Sequence, residues 1–217
     1  MLNKLWITLS MVMFMSGFVN AADNKIYIDQ VGEGINLEIT QSGQSNKVGT
    51  STTRANLSGD DQIIAISQIG DGNEMLLDVN GSGTTVVVDN QGNYNLVDID
   101  QVGSDALIQA VITGDYNSLI FNGTASDSSY VNSTTGDNNI TNITLGATGG
   151  SIEQTVTGDT NEVNISQTTN SVLGSEILLS INGSFNIFNI DQSGTDQQLL
   201  DINVEGSNGT YTINQSN

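Results

Sequence analysis

The 217 residues contain no cysteine, no histidine and no proline, and only four Lys or Arg against 24 Asp or Glu. Without cysteine the chain lacks the disulfides on which secreted domains often rely. It also lacks thiolate ligands for zinc and a thiol nucleophile. Without histidine there is no nucleophile–His pair of the kind that drives acyl transfer. The formal charge of −20 excludes the basic grooves that bind nucleic acid and the cationic patches that bind anionic membranes. Aromatic residues make up 5% and hydrophobic residues 36% of the chain, thin for a conventional globular core. Such a composition suits a disordered chain, but the order within the sequence argues against disorder.

The N-terminus reads as a secretory signal peptide. Lys4 supplies the positive charge, Leu5–Val19 is mostly apolar, and Val19-Asn20-Ala21 offers small residues for cleavage after Ala21. Removing 21 of the 217 residues leaves 196, with three basic residues (Lys25, Lys47, Arg54) against 24 acidic ones, a formal charge of −21. No later stretch approaches the roughly 20 apolar residues of a spanning helix. The expected location is therefore extracellular or at the cell surface, with no membrane insertion after cleavage. Residues 22–217 are expected to form one repeat domain.

The repeat is carried by glycine. Gly70, Gly81, Gly92, Gly103 and Gly114 stand 11 residues apart. The phase runs on through Ala125, Gly136, Ala147, Gly158 and Thr169, and resumes after a three-residue insertion at Gly183, Gly194 and, one residue late, Gly206. Gly32 and Gly43 are also 11 apart. The 27 residues from Gly43 to Gly70 fit two units plus an insertion of five, placed by the spacing near Ser58–Gln62. Before each glycine, apolar residues such as Ile64 and Ile66, Val86 and Val88, or Val97 and Ile99 alternate with polar ones such as Ser67, Asp89 and Asp100. A period of two, rich in β-branched residues, marks short half-buried strands. The units around 47–62 and 125–150 are inserted or degenerate.

A lone strand–turn unit of this size cannot bury its apolar face, whereas stacked units can. Two 11-residue units make one 22-residue coil. The fold expected is an all-β, two-sided parallel β-solenoid of about eight to nine coils, roughly 40 Å long at about 4.8 Å per coil.

Two sets of amides fall at inward positions. Two residues before the turn glycine lie Gln30, Gln41, Gln68, Gln101, Gln167, Gln192 and Gln215; three after it lie Asn46, Asn73, Asn95, Asn117, Asn139, Asn161 and Asn186. Five of these asparagines recur at an interval of 22, which places them at one corner of successive coils. Identical amides stacked in this way hydrogen-bond along the axis, which satisfies polar groups that would otherwise be costly to bury. Both sets are expected to form structural ladders.

Gln41-Ser42-Gly43-Gln44-Ser45-Asn46 and Gln68-Ile69-Gly70-Asp71-Gly72-Asn73 read Gln-x-Gly-x-x-Asn, and Gln30-Val31-Gly32 precedes Gln41 by 11. This pattern resembles the curlin repeat of curli subunits, the functional amyloid of bacterial biofilms. The resemblance covers most of residues 26–217, although only some units carry the full motif. It implies a secreted subunit that polymerises with itself, partnered by a nucleator subunit and an outer-membrane secretion channel, in fibres that serve biofilm matrix and adhesion. Curli subunits usually carry a Gly/Asn-rich export segment before the first repeat. Here about four residues separate the expected cleavage site from Ile26.

The acidic residues divide into two groups. Asp71, Asp115, Asp137 and Asp159 share one turn phase, where they favour the turn and resist unwanted association. A Ca²⁺ site there is the less favoured reading, because the nonapeptide of calcium-binding β-helices is absent. Asp29, Asp78, Asp89, Asp100 and Asp191 point outward from strands and read as guards against premature pairing. No catalytic set, metal site or cofactor site is expected. Residues 210–217, "TYTINQSN", keep the strand pattern and are expected to leave an open edge. The leading expectation is a self-assembling structural subunit. The other is a monomeric solenoid adhesin for glycans or ice, although an ice-binding face would require a regular Thr-x-Thr array.

Overall fold

The computed structural model describes residues 24–216 apart from positions 33, 35, 50–51, 60, 93, 115, 125–127, 137, 147–149, 159, 169–174, 184, 195–197 and 207. The expected signal peptide and Asp115, Asp137 and Asp159 thus lie outside the described residues. Among the described residues there is no helix. The described residues form fifteen strands in two sheets, and every pairing among them is parallel. The first sheet stacks β1 (Asp29–Val31), β3 (Ala55–Ser58), β5 (Met75–Asn80), β7 (Val97–Val102), β9 (Leu119–Gly123), β11 (Thr144–Leu145) and β13 (Ser166–Gln167). The second stacks β2 (Asn36–Ser42), β4 (Ile63–Ile69), β6 (Thr85–Gln91), β8 (Leu107–Thr113), β10 (Ser129–Thr135), β12 (Ser151–Thr157), β14 (Ser175–Asn182) and β15 (Gln198–Val204). The chain crosses from one sheet to the other at each glycine turn, so the molecule is a two-sided parallel β-solenoid. Among the described residues seven strands stack on one side and eight on the other, slightly fewer levels than the eight to nine expected, because beyond β13 the first sheet continues only through the isolated bridges Ser166–Asp191 and Ser193–Ser216.

The alternation of apolar and polar residues becomes an alternation of burial. In β6 every second residue is buried (Val86, Val88, Asn90), and β4, β8, β10 and β12 follow the same rule. Val86, Ile108, Tyr130 and Ile152 lie one above another at intervals of 22. The inward columns of both sheets merge into one apolar core. Each fully buried aliphatic side chain contributes about 1.5–3 kcal/mol, and stacking provides that burial at every level except the first and last.

The register locates the insertions. Ile26 pairs with Val48 at an interval of 22, but Val48 pairs with Met75 at 27. Asp29 pairs with Asn56 at 27, whereas Asn56 pairs with Asp78 at 22. The five extra residues therefore lie between Val48 and Ala55, not near Ser58–Gln62. They interrupt a strand of the first sheet, and the regular unit resumes in time for Gly59 to take the turn position. The three-residue insertion falls between Gln167 and Ser175, since β12 pairs with β14 at 25.

The degenerate middle affects one sheet only. β10 keeps seven residues in unbroken register with β8 and β12. Facing it, β11 and β13 shrink to two residues, and isolated bridges such as Leu119–Thr141–Val163 continue the stack. Ile165 and Asn189, non-glycine residues with φ of 26° and 111°, sit in this stretch. Such backbone is strained for side chains, so the first sheet loses regularity toward its C-terminal end.

Candidate functional site: an amide ladder, an acidic face and two uncovered ends

The glycine turns of the second sheet stack on one corner, which explains why glycine and asparagine recur together. A Cβ on Gly114 would lie 1.5 Å from the Gly92 carbonyl oxygen and 2.6 Å from Asn95 Oδ1. Gly70, Gly92, Gly136, Gly158, Gly183 and Gly206 meet the same two atom types one level below, and Gly43 supplies the carbonyl beneath Gly70. The backbone at Gly114 has φ of 154°, a region open to glycine at little cost. Only hydrogen fits where the turn of one coil rests on the turn and amide of the last.

The asparagines form a continuous ladder. Asn73 Nδ2 donates to Asn46 Oδ1 at 2.8 Å, Asn95 to Asn73 at 2.8 Å, Asn117 to Asn95 at 2.7 Å, Asn139 to Asn117 at 2.6 Å, Asn161 to Asn139 at 2.7 Å and Asn186 to Asn161 at 2.6 Å. All seven are buried. Asn139, Asn161 and Asn186 also donate to the carbonyl of their own turn glycine, Gly136, Gly158 and Gly183. Each bond contributes about 1 kcal/mol net. Every bond runs in the same direction, from the later level to the earlier, so the ladder is polar. Its unpaired atoms lie at its two ends: Asn46 Nδ2 and Asn186 Oδ1. Asn24 falls in the same column, two residues before Ile26 as Asn46 is before Val48. It donates to the Ser42 carbonyl at 3.5 Å and has its own Oδ1 unpaired.

The glutamines do not form a comparable ladder. Two residues before a turn glycine is a position on either sheet, so the seven are divided between two columns. On the second sheet Gln41 Nε2 donates to Gln68 Oε1 at 2.6 Å. The column continues as Asn90, whose amide has no partner, and Ile112. On the first sheet Gln101 lies between Val79 and Gly123, buried with both amide atoms unpaired. Gln167 donates to the Gly150 carbonyl and not to an amide, Gln192 is buried without a partner, and Gln215 donates to the Gln198 carbonyl. Gln30 is exposed.

The other corner carries Gly32, Gly59, Gly81, Gly103 and Gly194. A Cβ on Gly81 would lie 1.7 Å from the Gly59 carbonyl oxygen, and one on Gly103 1.8 Å from that of Gly81. Gly32 donates its N–H to Ser58 and Gly194 to Ser216. Gln62, Thr84, Ala106 and Ser128 fill this corner as buried side chains, so no second asparagine column forms there. In the core, Asn132 donates to Gln154 Oε1 and Thr134 Oγ1, both at 2.9 Å, and Gln154 donates to Thr141 Oγ1 at 3.4 Å across to the first sheet. The Tyr130 hydroxyl is buried without a partner, and burial holds its pKa well above the ordinary value.

The outer face of the first sheet is acidic. Asp78, Asp98 and Asp100 project from β5 and β7, and Arg54 from the five-residue insertion reaches across them. Its Nη1 and Nη2 donate to the two oxygens of Asp98 at 2.8 and 3.1 Å, it pairs with Asp78, and Nη2 lies 3.4 Å from Asp100. Burial opposes the charged form of Arg54, but the hydrogen bond to Asp98 and the charges of Asp98, Asp100 and Asp78 outweigh it, and the pKa is raised. Asn56 donates to Asp29 and Asn122 to Asp100 along the same face. Among the described residues no group of three or more acidic side chains is arranged to hold a metal ion.

Exposed aromatics occupy the asparagine corner. Tyr94 and Tyr116, 59% and 50% exposed, stack at 5.1 Å with planes 4° apart. At the ends of the solenoid the core columns are incompletely covered. Ile26, Ile28 and Leu37 are half-buried at one end, Leu200, Ile202 and Val204 at the other, with Tyr211 and Ile213 exposed beyond them. Tyr211 stacks on Phe188 at 4.6 Å. Comparison of the chain with protein-family models, curated proteins and solved structures returns no match.

Proposed function

We propose that this chain is a secreted structural subunit that assembles coil on coil into amyloid-like fibres of the curli type, serving matrix and adhesion outside the cell. The observation that carries the reading is the pair of uncovered terminal levels. Among the described residues each leaves half-buried a part of the core that the inner levels bury, and the second sheet ends on either side in an edge strand, β2 and β15. Such edges are templates for strand addition. Placing the C-terminal level of one subunit against the N-terminal level of the next sets Leu200 on Leu37 and Ile202 on Ile39. On the first sheet Tyr211–Gln215 occupies a ninth level, the place that Ile26–Gln30 of the next subunit takes in this arrangement, so this stretch must give way when subunits join. Parallel stacking then continues by translation, with the hydrogen-bond direction of the ladder unchanged. A homopolymer is the partner this requires. A nucleator and an export channel follow from the curlin resemblance.

The test uses residues 22–217, incubated at neutral pH. The expected result is thioflavin-positive fibrils with a cross-β diffraction pattern, and a stable monomer would sink the proposal. The stacked Tyr94–Tyr116 pair favours a second reading, a monomeric adhesin, because exposed rings are contact surfaces for sugars. In that case Tyr94→Ala would abolish binding to a glycan array while the chain remained monomeric.

A further inference from the structure

The two outer faces of the solenoid differ in charge. On the first sheet, three of the six outward side chains of β5 and β7 are Asp. On the second sheet, β4, β6, β8 and β10 each turn four side chains outward, and of these 16 only Asp89 is charged. The rest include Ile63, Ile69, Val87, Leu107, Val111 and Val131, interspersed with Ser, Thr, Ala and Gln. Glu38 on β2 and Glu153 on β12 bound the patch below and above. In a chain with 24 acidic residues and four basic ones, this face is the exception.

We propose that this face is a lateral interface and that its occupant is the same face of a second copy. Two arguments select that occupant. The first is charge: two copies repel wherever acidic faces meet, and this patch is where they can approach without bringing carboxylates together. The second is periodicity. Apolar rows repeating at about 4.8 Å stay in step over many levels only with a surface of the same repeat, at the roughly 10 Å spacing of packed sheets. The charged boundary around an apolar centre is also the common layout of an interface.

The size of the patch sets when pairing occurs. Four strands of seven residues cover roughly 19 by 23 Å, so two copies bury on the order of 900 Å², below the 1,200–2,000 Å² of stable complexes. Single chains pair weakly. In a fibre the patch recurs in every subunit and the contact area accumulates, so fibres bundle side by side. The inference rests on the fibre reading for its biological setting but is separable from it by experiment.

The experiment compares the parent chain, the double variant Leu107→Glu/Val131→Glu and the single variant Asp89→Asn, with circular dichroism confirming that each folds. Electron microscopy reads filament width and thioflavin reads elongation. The expected result is bundles from the parent, single filaments at about half the width or less from the double variant, wider bundles from Asp89→Asn, and equal elongation rates. Bundles of equal width from parent and double variant, or single filaments from all three, overturn the inference while leaving the fibre reading intact. If none forms filaments, the fibre reading fails and sedimentation at high concentration decides: a parent dimer lost in the double variant supports the face, and monomers throughout overturn it.

Discussion

Asn117 shows what one residue contributes. It donates to Asn95 at 2.7 Å and accepts from Asn139 at 2.6 Å, and it is buried. Asn117→Ala removes both bonds and leaves Asn95 Oδ1 without its donor, and a stranded buried polar atom is costlier than the bond was favourable. The expected loss is about 2–4 kcal/mol, read as a lower urea midpoint at unchanged slope. Tyr130 gives the opposite case, since its hydroxyl has no partner to lose. Tyr130→Phe is expected to be neutral or stabilising at pH 7. Burial favours the neutral phenol in the fold, whereas the unfolded chain ionises it near pH 10. The unfolded state then binds fewer protons, so stability falls as pH rises above about 10. The Phe variant should lose that component of alkaline unfolding in melts at pH 9 and 11. The asparagine column was legible in the sequence because its spacing of 22 equals one coil. Gly59 was missed because the five-residue insertion, misplaced, shifted its phase, and Asn24 because the turn position three residues before it is Ala21 and not glycine, at the end of the expected signal peptide. The glutamine column was misread because an 11-residue spacing alternates between sheets, so residues in phase are not always neighbours.

At the scale of an element, the insertion between Val48 and Ala55 is more than tolerated length. It delivers Arg54 onto three carboxylates of neighbouring levels, where Asp78 and Asp100 would otherwise stack with like charge about 4.8 Å apart. Arg54→Ala is expected to cost about 1 kcal/mol in low salt, and the difference should shrink in 1 M salt as the repulsion is screened. Thermal melts of parent and variant at both salt concentrations check this. An equal cost at both would mean that the side chain acts through its contact with the Leu77 carbonyl and not through charge. Strand existence and facing were legible throughout the second sheet, where period two is clean. The short β11 and β13 were not: Ile165, immediately before β13, has φ of 26°, a backbone conformation that no hydrophobic pattern reports.

For the whole molecule, the ends and the charge act against each other. The uncovered apolar levels favour addition of a further subunit, while a chain of formal charge −21 without its first 21 residues repels every arriving copy. The asymmetry between N- and C-terminal surfaces allows the two effects to be separated. Ile202→Lys places a cation in the half-buried core column of the last level, where the next subunit would have to desolvate it. Such a chain should add through its N-terminal surface to a parent fibre and then accept nothing further, so substoichiometric amounts stop growth. Charge, by contrast, affects every encounter alike. Raising salt shortens the screening length, and acidification toward about pH 4 neutralises carboxylates. Both are expected to shorten the lag of the parent chain without changing where subunits add, and Ile202→Lys should still stop growth under either condition. A lag indifferent to salt and acid would reject repulsion as the brake. Growth that continued past Ile202→Lys would reject the C-terminal level as the surface that accepts the next subunit.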